Sequence, residues 1–407
     1  LWGVSNSAAL EHPELDLALL DAEDDSKISA IIATGGAERR IALRGGQRRV
    51  ARLERMAAPE AAFRPRADVT YLVTGGLGGV GLAVARWLAA AGAGRVVLAA
   101  RHAPADLEFE TVAVDVADVA AMAALLRRLP ELRGVIHAAG VVRDRTLATL
   151  DVSDIAEVAA AKIAGAANLD ALTRDRRLDF FVLTSSTAGS LAAPGQAAYA
   201  GANAWIDRLA ASRRAIGLPA VAIGSGPWRA GMFARLDAVA RRRLEADGFR
   251  AMAPHRAAAA VASVVESGAV HRLVMDRTPV GRAETPLDGA IRAALLGAPP
   301  GERAQLLREE LAPRLAALLG LPAGRRLDPR QALRDLGLDS LLAVSLRNEL
   351  AAALGLDLPS TLVFDHPTLA ALATHLLGLL EGPEAPLDTL GERELAELLK
   401  RELGATR

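Results

Sequence analysis

The sequence predicts an α/β protein, a doubly wound parallel sheet followed by a small domain made only of helices, and three observations predict it. Between residues 69 and 275 short apolar runs alternate with helical stretches, the pattern of strands joined by helical crossovers. The first run, Val69 to Val73, leads into Thr74-Gly75-Gly76-Leu77-Gly78-Gly79-Val80-Gly81 and then the helical stretch LAVARWLAAAG, which reads as strand, glycine turn, helix. Beyond residue 303 the pattern is helical throughout, with Leu306, Leu307, Leu311, Leu315 and Leu318 at helical spacing.

Taken in order, residues 1 to 66 open with LWGVSNSAALEHPEL and include IALRGGQRRVARL, a hairpin signal centred on its two glycines. Six further runs follow the first: Arg95 to Ala100, Thr111 to Val114, Gly134 to His137, Phe180 to Thr184, Ala220 to Ile223 and Arg272 to Met275. ETPLDGAIRAALLGAPPGE, at 284 to 302, has the proline and glycine content of a tether. In the helical domain a long loop precedes Leu341 to Leu354, and a proline-opened helix spans Pro367 to Leu377. EGPEAPLDTLGERELAELLKREL, closing the chain, reads as a loop and one charged amphipathic helix, a linker or docking element.

Two patterns carry chemistry. A glycine turn opening a helix lets the backbone approach a pyrophosphate, while the helix N-terminus offers unpaired N–H groups. The second run ends in Arg101-His102 and has no carboxylate for a ribose 2′-hydroxyl. An arginine there suits a 2′-phosphate, hence NADPH rather than NADH. The second pattern is SSTAGSLAAPGQAAYAGAN, in which Tyr199, one of only two tyrosines, stands thirteen residues after Ser186 and four before Asn203. Reducing a ketone requires a hydride on carbon and a proton on oxygen, so a hydroxyl acid and a second donor beside a reduced cofactor make a carbonyl reductase site. Singly, each residue has a plainer reading: a turn serine, a core tyrosine, a helix asparagine bonded to backbone. Their spacing after a glycine turn favours the site.

VTGGLGGVGLAVARWL, GVIHAAG, FVLTSSTAGS, PGQAAYAGANAWIDRLA and GPWRAGM, in that order, resemble the short-chain dehydrogenase/reductase family and its Rossmann-like fold. More closely, they resemble the ketoreductase domain of modular polyketide synthases. The resemblance covers most of residues 1 to 280 and implies a catalytic set of Ser186, Tyr199, Lys162 and Asn203, Lys162 coming from AAKIAGAANL. It also implies cofactor contacts from Thr74 through Gly81, from Arg101, Asp115 and Val116, from Ala138, Ala139 and Gly140, and from Pro227. The chain holds only three lysines, Lys27, Lys162 and Lys400, among its 48 lysines and arginines. A lysine ammonium beside Tyr199 is expected to lower the phenol's pKa toward working pH.

Asp144, Leu191, Pro194 and Gln196 are the stereocontrol positions that the resemblance implies. In GVVRDRTL the family's Leu-Asp-Asp triplet has become Val142-Arg143-Asp144, and Leu191 stands where ketoreductases of the opposite hand carry tryptophan. Together these resemble the B type, which gives a 3R alcohol. Ser225, in IGSGPWRAGM, stands where a tryptophan is usual, near the expected nicotinamide end.

Leu336-Gly337-Leu338-Asp339-Ser340-Leu341 and FDHPTLAALATHLL make the helical domain resemble an acyl carrier protein, a four-helix fold. The resemblance implies that Ser340 is esterified with 4′-phosphopantetheine. A serine opening a helix suits that role, because the dipole favours the phosphodiester's charge. An ordinary N-cap is the plainer reading of the same residues.

Composition narrows the alternatives. The chain has no cysteine, and its seven histidines show no zinc spacing. Formal charge is zero and no basic patch interleaves with aromatics, which argues against nucleic acid. No apolar run is long enough to span a bilayer and no signal peptide is evident, so a cytoplasmic protein is expected. The expected organisation is a partial ketoreductase structural subdomain at 1 to 66, a catalytic subdomain at 67 to 283, a linker at 284 to 302, a carrier at 303 to 380 and a C-terminal segment at 381 to 407. The first segment resembles only the last part of such a subdomain, as expected of a piece of a megasynthase. The implied partners are a β-ketoacyl thioester, upstream ketosynthase and acyltransferase domains, a phosphopantetheinyl transferase, and a downstream module or thioesterase. The competing reading is a redox-silent scaffold beside a working carrier; the intact Ser186, Tyr199, Lys162 and Asn203 weigh against it.

Overall fold

A computed structural model describes residues 2–23, 28, 38–56, 63–104, 106–231, 233–236, 238–278, 294–295, 297–321 and 325–381. The chain divides into two compact units, residues 1–280 and 281–407.

The first unit is built on a seven-stranded, wholly parallel sheet. Its strands are β4 (Thr70–Thr74), β5 (Arg95–Ala100), β6 (Glu110–Ala113), β7 (Leu132–His137), β8 (Phe180–Ser186), β9 (Val221–Ser225) and β11 (His271–Val274). They lie in the order β11-β9-β8-β7-β4-β5-β6, so the winding reverses between β4 and β7. That reversal opens a crevice at the carboxyl edge, where open α/β sheets bind ligands.

The strands are continuous apolar runs because both sheet faces are covered. Along β4, Tyr71 and Val73 face one core and Leu72 the other; along β8, Phe180 and Val182 alternate in the same way with Phe181 and Leu183. On the Tyr71 side pack α2 (Gly79–Ala90) and α9 (Pro254–Glu266), through Val84, Leu88, Ala258 and Val261. The Leu72 side is covered by α3 (Val119–Arg127), α5 (Gly165–Leu172) and α7 (Ala197–Ala215), through Met122, Leu126, Leu169 and Ile206. Leu72 has no exposed surface, so truncating it to alanine should cost about 2–5 kcal/mol.

Before this sheet come α1 (Trp2–Glu11) and a three-stranded sheet of β1 (Leu19–Ala22), β2 (Arg40–Arg44) and β3 (Gln47–Val50). The antiparallel hairpin β2–β3 turns at Gly45 and Gly46, with φ of 55° and 75°, a left-handed pair that suits a two-residue loop. Two short elements, α8 (Ala238–Ala246) and β10 (Phe249–Arg250), precede α9, and β10 pairs with β12 (Asp276–Arg277).

The second unit contains α10 (Pro300–Leu318), α11 (Ser340–Leu354), the short α12 (Leu362–Asp365) and α13 (Leu369–Glu381). One leucine-rich core joins them, including Leu307, Leu311, Leu315, Leu346, Leu350 and Leu376. Leu295 is buried in the same core and α10 starts at Pro300, so the end of the expected tether packs as part of this unit. The last helix starts two residues later than its proline suggests, because the Thr368 hydroxyl caps it by accepting from the Ala371 N–H at 3.1 Å. The expected C-terminal helix and residues 284–293 lie outside the described residues. Among the described residues no helix is long and apolar enough to cross a membrane.

Candidate active site

Turn residues Gly75 to Gly81 leave the carboxyl end of β4 and enter α2. Gly75 has φ of 65°, and a Cβ there would meet the Ala139 nitrogen at 2.5 Å, so only glycine fits between this turn and the segment after β7. Gly79 is tighter still: its Cβ would lie 2.1 Å from the Gly231 nitrogen. Helix α2 begins after Gly78, with no side chain capping it and no acidic residue in its first turn. That leaves its first N–H groups available to an anion, and the bare backbone cradle fits a dinucleotide pyrophosphate.

The other expected cofactor residues stand on the same edge. Arg101 follows β5, is exposed, and makes no ion pair among the described residues. After β6, Asp115 accepts from the Ala117 N–H at 2.9 Å and Val116 is buried. The Ala138 N–H donates to the Thr74 carbonyl at 2.9 Å, and a Cβ on Gly140 would lie 3.0 Å from Lys162 Cε. Pro227 follows β9, its carbonyl accepting from the Met252 N–H at 2.8 Å.

Lys162 is 3% exposed and sits in a single π-turn, Ala160–Ala164, between α4 (Val152–Ala159) and α5. The widened turn presents its carbonyl to His137 at the end of β7. A carbonyl can only accept, so His137 Nε2 donates to Lys162 O at 3.2 Å, and Nδ1 accepts from the Thr74 hydroxyl at 2.8 Å. His137 is wholly buried, which pushes its pKa down to about 3, with Lys162 adding to the effect, so it stays neutral. Lys162 Nζ donates to the Thr184 carbonyl at 2.9 Å. Burial lowers its pKa to about 8, and Asp207 opposes the fall.

Ser186 ends β8, where its hydroxyl accepts from the Ala188 N–H and caps the short helix α6 (Thr187–Leu191). Tyr199 and Asn203 share one face of α7, one turn apart, and the Asn203 amide donates to the Tyr199 carbonyl at 2.8 Å. Asn203 Oδ1 is buried without a hydrogen-bond partner among the described residues. The structure thus brings Ser186, Tyr199, Lys162 and Asn203 to one end of the sheet. It corrects one expectation, since the Tyr199 phenol lies above its ordinary pKa and not below. Burial is the largest cause; the Asn203 and Ser186 side chains oppose it. The lysine ammonium sits 5.3 Å from the phenol ring centroid, a cation–π position.

Sequence reasoning missed two groups behind this set. His137 was visible only as part of an apolar run. Asp207 continues the Tyr199–Asn203 stripe by one more turn, a spacing that could have revealed it. Burial raises the Asp207 pKa, opposed by His271, the Ser185 hydroxyl and Lys162, and its Oδ2 lies 3.6 Å from His271 Nε2.

The expected stereocontrol residues occupy two neighbouring loops. Gln196 Nε2 donates to Asp144 Oδ1 at 3.0 Å, and the Arg145 N–H donates to the Gly195 carbonyl at 2.7 Å. Arg143, the altered member of its triplet, forms a bidentate pair with Glu157 on α4, at 2.6 and 2.7 Å. Leu191 ends α6 half-buried, followed by Ala192 at φ 66° and ψ 165°, then Pro194. An alanine in that region carries about 1–3 kcal/mol of strain. Ser225 pairs in register with Ser186 on the adjacent strand.

In the second unit Ser340 is the first residue of α11, half-buried. The Asp339 carboxylate caps the helix by accepting from the Leu342 N–H at 2.8 Å, which leaves the serine hydroxyl free of capping duty.

Comparison with known proteins agrees with both halves. The KR domain model matches residues 69–230, and the phosphopantetheine attachment site model matches 309–376. Polyketide synthase GfsB of Streptomyces halstedii is 38% identical over 96% of this chain, which spans 8% of that relative's length. Among solved structures, the ketoreductase from the first module of phoslactomycin biosynthesis in a Streptomyces species superposes with TM-score 0.61 and 36% identity, covering 68% of this chain and 70% of that one. A structure of A-type ketoreductases from a modular polyketide synthase gives TM-score 0.62 at 34% identity, covering 73% and 66%. With a reductase fold whose carboxyl edge gathers a serine, a tyrosine, a lysine and an asparagine, and a carrier fold later in the chain, the chain belongs to the modular polyketide synthases, as a ketoreductase domain followed by an acyl carrier domain.

Proposed function

We propose that this chain reduces a carrier-bound β-ketoacyl thioester to the β-hydroxyacyl thioester with NADPH, giving the 3R alcohol of the B type. The gathering of Ser186, Tyr199, Lys162 and Asn203 beside a glycine turn that a Cβ would block carries this reading. Bound NADPH supplies the hydride. Tyr199 is the acid: its raised pKa keeps the phenol protonated at neutral pH, ready to pass its proton to the carbonyl oxygen. The Ser186 hydroxyl is the second donor to that oxygen as charge develops. Lys162, largely charged below its pKa of about 8, favours the departing proton's electron pair on Tyr199. Arg101, exposed at the end of β5, is the residue for the cofactor's 2′-phosphate.

For the B type, the support is Asp144, held by Gln196, together with Leu191 in place of tryptophan. Ser340 carries the 4′-phosphopantetheine arm, added by a phosphopantetheinyl transferase. The arm delivers a chain built by upstream ketosynthase and acyltransferase domains and passes it to a downstream module or thioesterase. The test is NADPH and NADH oxidation with a free β-ketoacyl thioester, followed by chiral separation of the product. Oxidation of NADPH, much slower oxidation of NADH, and mainly 3R alcohol are expected. No oxidation returns the chain to a silent scaffold, equal rates remove the Arg101 role, and mainly 3S product overturns the B type.

A further inference from the structure

Glu11, the last residue of α1, is a buried carboxylate, 1% exposed, that no step of the reduction uses. Its Oε2 accepts from the Leu147 N–H at 2.6 Å and its Oε1 from the Gly195 N–H at 2.8 Å. These donors stand in two loops far apart in the chain. Leu147 lies three residues after Asp144, and Gly195 immediately precedes Gln196. A carboxylate accepting from backbone N–H groups in a buried place makes strong, directional bonds, so Glu11 fixes the spacing of the two loops from behind.

The second loop is held at its other end as well. Arg40, on β2, donates through Nη1 to the Ser190 carbonyl at 2.6 Å, one residue before Leu191. Between these two anchors lies Ala192 at φ 66°, and Gly195, at the second anchor, has φ 76°. Alanine keeps such a conformation only where its surroundings over-determine it, and anchors at both ends of the six-residue stretch from Ser190 to Gly195 do so. Helix α1 in turn is registered on the catalytic helix. A Cβ on Gly3 would meet the Ala200 carbonyl oxygen at 2.2 Å, and Ala200 adjoins Tyr199. The segment before the main sheet therefore measures from the proton donor's helix to both loops that carry Asp144, Leu191, Pro194 and Gln196.

We propose that Glu11 and Arg40 are positioning residues for stereospecificity, clamping loops 144–147 and 190–196 so that the β-ketoacyl group enters with one face toward the hydride. This rests on the ketoreductase reading of the same site, and two readouts separate the two. In Glu11→Gln the amide nitrogen cannot accept, so one loop is released with the side chain's volume preserved. Relative to wild type, the minor alcohol should rise about fivefold and KM for the thioester about tenfold, with the NADPH Kd within about twofold. Hydrogen exchange in 144–147 or 190–196 should quicken about tenfold while residues 197–215 keep wild-type protection. Arg40→Met should act in the same direction through the first anchor. Arg39→Met, which removes an exposed pair with Asp16, should leave the product ratio unchanged.

Wild-type product ratio and loop exchange in both Glu11→Gln and Arg40→Met would overturn the proposal. So would joint loss of NADPH binding and of protection throughout the unit, which marks a merely structural role. Mainly 3S alcohol from wild type removes the B-type reading but leaves the change of ratio to be read. If wild type oxidises no NADPH, the reductase reading fails, and the exchange comparison still decides whether Glu11 holds the loops.

Discussion

Lys162 should titrate about 2.5 units below an ordinary lysine, and Asp207 should be what keeps it from falling further. Burial moves its pKa from 10.5 to about 8, a net penalty on the ammonium of about 3 kcal/mol. Roughly nine-tenths of the side chain is still charged at pH 7, so the fold accepts a buried cation at working pH. The composition makes the measurement clean. With only Lys27, Lys162 and Lys400 in the chain, a carbon-13 NMR titration of the lysine Cε resonances has three signals to resolve, and Lys162→Met assigns the low one. One signal should move near pH 8 and be missing from Lys162→Met. Asp207→Asn removes the group that raises Lys162, so the low titration should shift to lower pH, and the alkaline fall in kcat/KM should shift with it. The linkage has a definite sign: the folded state binds this proton less tightly, so between pH 8 and 10.5 the unfolded chain holds more protons and stability rises with pH. Lys162 titrating above 10, or moving upward in Asp207→Asn, would refute the reasoning.

Tyr199→Phe should lower kcat by at least ~10²-fold with NADPH affinity nearly intact, read from initial rates and cofactor fluorescence; survival of activity would reduce the tyrosine to packing. His137, neutral and buried with a pKa of about 3, leaves the unfolded chain holding more protons between pH 3 and 6.5, so stability falls as pH drops through that window. Urea midpoints at pH 7 and 5 should show wild type losing about 2 kcal/mol that His137→Gln does not lose; parallel losses would contradict the assignment. Gly79→Ala places a methyl against backbone at Gly231, and isothermal titration should show NADPH binding weakened at least about tenfold. Intact mass after a phosphopantetheinyl transferase should rise by one phosphopantetheine in wild type and not in Ser340→Ala. That variant should still reduce free thioester at the wild-type rate, and uptake of the arm by it would remove Ser340 from the role.

Short continuous apolar runs and helical leucine spacing are local properties, and they made both folds legible from the chain alone. Each of the seven runs became a strand; Arg95 to Ala100 kept both ends, and the other six shifted by one or two residues where backbone bonding, not apolar content, decides the boundary. The glycine turn was legible because only glycine fits where Gly75 and Gly79 approach neighbouring backbone, and Ser186, Tyr199 and Asn203 because one strand end and one helix hold them at fixed offsets. Lys162 came from family resemblance, since nothing in its neighbourhood distinguishes it from a solvated helix residue. Burial was decided only in three dimensions. Desolvation depends on the atoms that crowd a group from distant segments, so it set the phenol of Tyr199 above its ordinary pKa where proximity to a lysine suggested the opposite. The same holds for Glu11, whose two hydrogen bonds span 136 and 184 residues. A carboxylate in LEHPEL reads as surface, and only the packing of α1 on α7 turns it inward to the loops of the active site.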